Sequence, residues 1–543
     1  MKYFKCLPHQ YFSCLPNQYF TCWSSPVLHR QSWVATAILV VALLASAAPA
    51  LAQALPSLAS LSVGYNTQKR AVQPAGALKA QIDAIDREIA EARRLGRTGE
   101  LRRLLLKGVA LLAGGAWTDE LEFARSLVIR SDRVIVDSSA AWSVRVEQIY
   151  QPSIQLERPL VARVTLRRPP AAPARGGGPP QFPALVKELV TRDGVSRDLR
   201  ESPLKVTLDL AGVEDGPYAL AVEILDGTRA LGFTTQAVVV RAGLDATVDR
   251  LRRAAATAPE SLRVGILYPV NRLELVNRGA MPIANFNPAI DLAAAETIAA
   301  AASAGKNPYD GKTGDFKRHY LLESAGEIMP YRLYVPTTYS RTKPHPLVIA
   351  LHGLGGNEDS LFNGYAGTFQ RLAEQHGFIV AAPNGYRADG FYGWAGSGSI
   401  NRDDPETLRT LRRSEDDVMQ VLQQVKRLYA VDDTRIYLMG HSMGAIGTWY
   451  LAPKFPDVWA ALGPIAGIGD PATIERMRHI PQFVVHGDAD NTVPVDNSRR
   501  MVERMKALGM NVTYIEVPGG DHVGVGVPNL PAMFEFFTNQ KRR

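Results

Sequence analysis

Cysteine is almost absent from this 543-residue chain, and the three present, Cys6, Cys14 and Cys22, all fall within the first 22 residues. They sit in an eight-residue repeat, YFKCLPHQ YFSCLPNQ YFTCWSSP, whose spacing supplies no second ligand pair for zinc. The repeat reads as an over-long n-region or as sequence ahead of the true start. A long hydrophobic run is also missing. The apolar core of VATAILVVALLASAAPALAQA is about fourteen residues long and ends in the small-x-small triplet Ala50-Leu51-Ala52, whereas a bilayer span takes roughly twenty. A cleaved export signal over 1–52 is therefore expected, with cleavage after Ala52 into a periplasmic or secreted location. The mature chain then has no stable membrane span and no cysteine, which excludes disulfides and thiol catalysis.

Charge of one sign is scarce as well. The first 52 residues carry Lys2, Lys5 and Arg30 and no acid, which leaves 58 basic against 53 acidic side chains, a net charge of +5. No Lys/Arg cluster interleaved with aromatics stands out, so no nucleic-acid partner is expected. The oligomeric state has no signature. A composition 46% hydrophobic and 21% charged belongs to a globular chain long enough for several domains.

Past the signal, the texture of the chain changes twice. LKAQIDAIDREIAEARRLGRTGELRRLLLKGVALLAG, residues 78–114, repeats apolar positions at helical spacing around Gly96 and Gly99, which predicts a helical hairpin within a helical region, 53–131. Short alternating runs such as WSVRVEQIY, LVARVTLRR and YALAVEILDG, broken at Asp, Gly and Pro, predict a small β-sandwich-like domain over 132–244. Within it RRPPAAPARGGGPPQ, residues 167–181, is too rich in Pro and Gly to pack. A helical linker region, 245–310, leads to the catalytic domain, 311–543. There strand-like runs (YRLYVP, PLVIALHG, FIVAAPNG, RIYLMG, WAALGPIAG, PQFVVHGD) alternate with helical ones, which predicts a mostly parallel sheet wrapped by helices.

The polar motifs fall at the carboxyl ends of those strands, where open α/β sheets place their ligands. Gly440-His441-Ser442-Met443-Gly444 is a G-x-S-x-G between an apolar strand and a helix, the context that presents a serine on a strained turn. Ser442 is the candidate nucleophile. It needs a base and an orienting acid, which in such a fold follow in the order acid, then histidine. His522, in PGGDHVGVG, is the candidate base. The acid is sought in HGDADNTVP, where Asp490 is preferred and Asp488 is the alternative.

Competing readings of these motifs fail on spacing. An EF-hand counted from Asp488 requires Gly at 493 and Glu at 499 and meets Val493 and Arg499. A dinucleotide loop starting at Gly353 requires Gly at 358 and meets Glu358. No metal and no organic cofactor is expected. His352, His441 and His486 read as packing residues, and Asp488 and Asp496 as turn or capping residues. The oxyanion hole is assigned to the amides of Met443 and Leu354, with Gly355 the next choice for the second. The Gly-rich stretch between AAPNGY and a helix starting near Ser414 carries Phe391, Tyr392 and Trp394. Tyr392 and Trp394 are the candidate substrate-binding residues, unless Trp394 only packs the loop down.

Together LHGLGGNEDS, GHSMGAIGTW, HGDADNTVPV and GGDHVG make the chain resemble the α/β-hydrolase superfamily over roughly 331–538. Within it the resemblance extends to the feruloyl and acetyl-xylan esterase and polyhydroxybutyrate depolymerase group, and to prolyl-oligopeptidase-type catalytic domains. It implies Ser442, Asp490 and His522 as a triad. An ester substrate, small or polymer-linked, is expected because the 48 residues between 442 and 490 leave no room for a cap domain and the upstream β region shows no blade-length repeat. The chain departs from the family pattern in lacking an aromatic residue after His522. The alternatives are a serine peptidase of the prolyl-oligopeptidase type, or a binding protein with a vestigial hydrolase domain.

Overall fold

Ile82, Ile85, Ile89 and Ala92 recur at helical spacing and are all buried, which makes one face of α2 (Gly76–Arg94) a core face. It joins α3 (Thr98–Leu112), and the two form the expected hairpin. A further helix, α1 (Leu58–Val72), buries Tyr65 in the same cluster. The computed structural model describes residues 58–169, 184–396, 400 and 402–542. The expected signal segment with its three cysteines, and most of the Pro/Gly-rich insertion, lie outside the described residues.

After α4 (Asp119–Ser126) come β1 (Leu127–Ser131), β2 (Ile135–Val136), β3 (Trp142–Gln148), β4 (Leu160–Arg167), β5 (Leu185–Val195), β6 (Leu204–Leu208), β7 (Gly216–Asp226) and β8 (Arg229–Val240). β1, β3 and β6 make one antiparallel sheet, and β4 lies between β5 and β7 in a second. β3 alternates buried and exposed residues, as a sheet with one core face requires. β1 and β5 were not among the strands expected from sequence.

The chain divides into two compact units, and the division does not follow the sequence-based boundaries. The first holds 58–131, 142–209 and 217–238, so the hairpin and most of the strands share one body. The second holds 132–141, 210–216 and 239 onward. Helices α5 (Leu244–Thr257), α6 (Glu260–Asn277) and α7 (Pro288–Ser303) therefore belong to the catalytic body and are not a free linker. α6 is tied to the sheet edge at Ile328, whose N–H donates to Asn271 Oδ1 (3.0 Å) and whose carbonyl accepts from Arg272 Nη2 (3.0 Å).

The rest of the second unit runs β9 (Gly314–Leu322), β10 (Glu327–Val335), β11 (His345–Leu351), α8 (Ser360–Gly364), α9 (Thr368–His376), β12 (Ile379–Pro383), α10 (Pro405–Leu428), β13 (Val431–His441), α11 (Met443–Leu451), β14 (Ala461–Ile465), β15 (Gln482–Gly487), α12 (Asp496–Ala507), β16 (Val512–Val517) and α13 (Gly526–Thr538). Its eight strands lie in the order β9-β10-β12-β11-β13-β14-β15-β16, with only β10 antiparallel to its neighbours. That topology is the α/β-hydrolase fold.

β13 shows why these strands read as unbroken apolar runs. Ile436 and Leu438 point into the core on one face, while Tyr437 and Met439 point into the core on the other, so successive residues are all buried. Each large side chain so buried contributes roughly 1.5–3 kcal/mol. After β11 the chain crosses to β12 on one side, then returns to β13 on the other. The resulting crevice at the carboxyl ends of β11 and β13 is where ligands bind in open α/β sheets.

One boundary differs from expectation in a way that bears on the site. α10 begins at Pro405 and not near Ser414, because Asp404 caps it, accepting from the amides of Glu406 (3.4 Å) and Thr407 (3.0 Å), with Pro405 in the first turn. The aromatic loop is shorter by that much.

Candidate active site

Ser442 stands at the crevice between β13 and α11 with φ 58° and ψ −117°, a conformation that costs a residue with a Cβ on the order of 1–3 kcal/mol. Its N–H donates to the Ile465 carbonyl (2.9 Å). The turn exists because the residues two positions to either side, Gly440 and Gly444, have no side chain. A Cβ on Gly440 would lie 2.3 Å from the backbone of Gly444, and one on Gly444 would lie 2.0 Å from the Leu351 carbonyl oxygen. Backbone on both sides leaves nothing to yield. Gly444→Ala is thus expected to destabilise the protein by about 4 kcal/mol or more, read as a melting temperature lower by about 10 °C. A Tm within 2 °C of the parent, by a scale on the order of 2–4 °C per kcal/mol, would contradict that packing.

His522, in the loop after β16, brings Nε2 to 2.8 Å from Ser442 Oγ and Nδ1 to 2.6 Å from Asp490 Oδ2. Nδ1 donates to the carboxylate, which leaves Nε2 free to accept from the serine hydroxyl. Asp490 lies in the turn after β15 and is only 8% exposed. Its Oδ1 accepts from the amides of Thr492 and Val493, each at 2.8 Å. Burial pushes this carboxyl up, but the hydrogen bonds from His522 and the two amides outweigh it and hold it below the usual carboxylate range. The rival acid is elsewhere: Asp488 is exposed and accepts from the Gly519 amide (2.6 Å). Asp496 opens α12 and pairs with Arg499 (2.8 Å).

The two amides assigned to the oxyanion hole belong to segments that flank Ser442. Met443 is the first residue of α11, so its N–H has no acceptor within the helix. Leu354 follows Gly353, and a Cβ built on Gly353 would sit 3.5 Å from both Ser442 Cβ and the His441 carbonyl. The Leu354 side chain is 62% exposed. Gly355, the second choice, donates its N–H to the Ala388 carbonyl (2.9 Å).

Tyr392 does not line a pocket, and that expectation is corrected. Its side chain has no exposed surface. Phe391 and Tyr392 both take positive φ (47° and 52°), a turn that folds the Tyr392 ring inward against Gly447 of α11. Its hydroxyl donates to the His352 carbonyl (3.0 Å), and its N–H donates to Ser414 Oγ (3.1 Å). Tyr392 thereby joins the loop after β11 to α11, the helix that follows Ser442. Trp394 is half-buried, with its ring centroid 6.0 Å from that of Phe391.

His352 and His441 both hold loops through backbone carbonyls. His352 Nε2 lies 2.8 Å from the Asn384 carbonyl. His441 donates from Nε2 to the backbone carbonyl of His522 (2.7 Å). Sequence reasoning missed two supporting carboxylates. Asp417 on α10 is fully buried and accepts from the amides of Gly385 (2.5 Å) and Tyr386 (2.9 Å) and from the Tyr320 hydroxyl. Glu358 pairs with Lys317 (2.7 Å) and accepts from Asn384 Nδ2 (2.7 Å). The run of three acids in SEDDV, the last of them, Asp417, on the buried face of α10 beside Val418, was the available signal for Asp417. Among the described residues no group of three or more His, Cys, Asp or Glu is arranged to hold a metal ion, and no helix is long and apolar enough to cross a membrane.

Residues 332–523 match the dienelactone hydrolase family model. The matched segment contains Ser442, Asp490 and His522. The chain is 28% identical over 179 residues to a bifunctional acetylxylan esterase/xylanase of Neocallimastix patriciarum, covering 33% of this chain and 23% of that protein. It is 28% identical over 202 residues to a probable feruloyl esterase C of Aspergillus oryzae, covering 36% and 68%. A third relative is poly(3-hydroxyalkanoate) depolymerase C of Paucimonas lemoignei, 31% identical over 125 residues and covering 22% and 28%. The chain thus spans about a quarter of the length of the first and third relatives and about two thirds of the second.

Proposed function

We propose that the protein is an exported serine hydrolase that cleaves carboxylic esters through an acyl-enzyme, with residues 1–52 as its export signal. The observation that carries this reading is the unbroken hydrogen-bonded series from Ser442 Oγ through His522 to Asp490 Oδ2, at 2.8 and 2.6 Å, on a serine held at positive φ. Ser442 Oγ attacks the ester carbonyl as His522 Nε2 takes its proton. The amides of Met443 and Leu354 stabilise the oxyanion. Collapse of the tetrahedral intermediate expels the alcohol, which receives the proton from His522. Water, deprotonated by the same nitrogen, then releases the acid and restores Ser442. Asp490 keeps the imidazole in the tautomer both steps need. Trp394 flanks the bound acyl or alcohol group.

Two observations favour an ester over a peptide. The 442–490 segment holds only α11, β14, a short 3-10 turn (Pro471–Met477) and β15, so no cap domain is inserted there. The relatives are, by name, an acetylxylan esterase, a probable feruloyl esterase and a poly(3-hydroxyalkanoate) depolymerase, which supports an acyl group carried on a carbohydrate or polymer. A panel of substrates on the purified protein tests the reading. Short-chain and aryl nitrophenyl esters are expected to turn over and prolyl nitroanilides to remain uncleaved. Faster cleavage of the anilides would replace the esterase by a peptidase.

A further inference from the structure

His486 ends the apolar run of β15, has no exposed surface, and plays no part in the mechanism above. Both ring nitrogens are engaged. Nδ1 lies 2.7 Å from Ser498 Oγ on α12, and Nε2 lies 2.9 Å from the Val493 carbonyl and 3.2 Å from Asp490 Oδ2. Two acceptor oxygens, one of them a carboxylate, face Nε2. A bare nitrogen there would oppose its lone pair to both in a buried place, so Nε2 carries the proton. Nδ1 is then the acceptor and the Ser498 hydroxyl the donor. Burial pushes the imidazole pKa down, against the pull of the Val493 carbonyl and of Asp490, which keeps the ring neutral.

Asp490 consequently accepts three N–H groups directly and is faced by a fourth. The amides of Thr492 and Val493 reach Oδ1 and the ring of His522 reaches Oδ2, while the Nε2–H that His486 gives to the Val493 carbonyl also faces Oδ2 at 3.2 Å, a longer shared contact. An ionised carboxylate offers about four lone-pair sites, so these four N–H groups together restrict its rotation. His486 is the second ring that faces Oδ2, and it is itself anchored to α12 through Ser498.

We infer that His486 is a positioning residue for the triad acid, setting the Asp490 carboxylate plane through Nε2–H so that Oδ2 meets His522 Nδ1. This rests on the triad proposed above, and the test separates the two. In the full chain, His486→Leu removes the donor at similar volume, and His486→Gln returns an N–H close to the place of Nε2. Rates are normalised to the fraction labelled by a fluorophosphonate. His486→Leu is expected to lower kcat by about 10- to 100-fold with KM within about twofold, the effect of losing one hydrogen bond to a charged group. His486→Gln is expected to recover most of that loss. A purely structural residue would lower the labelled fraction and leave the normalised kcat alone, and that result, or equal rates for Leu and Gln, would overturn the inference. If neither variant folds, Ser498→Ala decides: a kcat lower by about threefold at unchanged KM supports the inference, and the parent kcat overturns it. Failure of the underlying triad shows separately, as a parent protein that hydrolyses esters without being labelled at Ser442.

Discussion

Ser442→Ala is expected to lower ester turnover by about five to six orders of magnitude while leaving the protein folded. The size follows from the serine and histidine acting as a unit: without Oγ no covalent intermediate forms, and His522 has nothing to deprotonate but water. The folding half follows from the position. The alanine keeps the Cβ at φ 58°, so the strain of the turn is unchanged, and the amide still donates to Ile465. Stability is expected to move by less than about 1 kcal/mol, the range of substitutions that make no cavity and bury no unpaired group. The check is kcat/KM on a nitrophenyl ester alongside a thermal melt. A variant that retained a tenth of the parent rate at unchanged Tm would place the nucleophile elsewhere.

Asp490→Asn is expected to lower kcat by about 10⁴-fold, the loss that follows when the orienting acid becomes an amide. Asn presents an N–H or a carbonyl to His522 Nδ1. In the first case it pushes Nδ1 into the unprotonated state, which turns Nε2 into a donor toward Ser442 Oγ and removes the base. The amides of Thr492 and Val493, which reach Oδ1, favour keeping the side-chain oxygen on their side, so the amide nitrogen falls toward His522. Asp488→Asn is expected to stay within about threefold of the parent, since its carboxylate meets only the Gly519 amide at the surface. A larger loss at Asp488 than at Asp490 would reverse the assignment of the acid.

What could be read from the sequence follows from burial. β11, β13 and β15 are covered on both faces, so they appear as continuous apolar runs, and the motifs that end them are displayed at the carboxyl edge of the sheet. The alternation of such runs with helices was therefore enough to place Ser442, Asp490 and His522 at one edge before any distance was known. The remainder depended on contacts between distant segments. Tyr392, in a loop of glycines, reads as an exposed aromatic, yet two consecutive positive-φ residues turn it under α11 against Gly447. The start of α10 was marked by Asp404-Pro405, but the neighbouring glycines concealed that cap. β5 is largely exposed along its length, so it lacks the alternation that identifies a strand. His486 meets Asp490 through the tight turn after β15 and Ser498 only because β15 and α12 pack together, and nothing in the spacing of HGDADNTVPVDNS distinguishes it from a packing residue.

The central claim, a covalent ester hydrolysis carried by one serine, is tested most directly by labelling the parent protein with a fluorophosphonate and mapping the adduct by peptide mass spectrometry. The account predicts one adduct per chain, on Ser442, with ester turnover falling in step with labelling. An adduct on another residue, or full ester turnover by fully labelled protein, would contradict it.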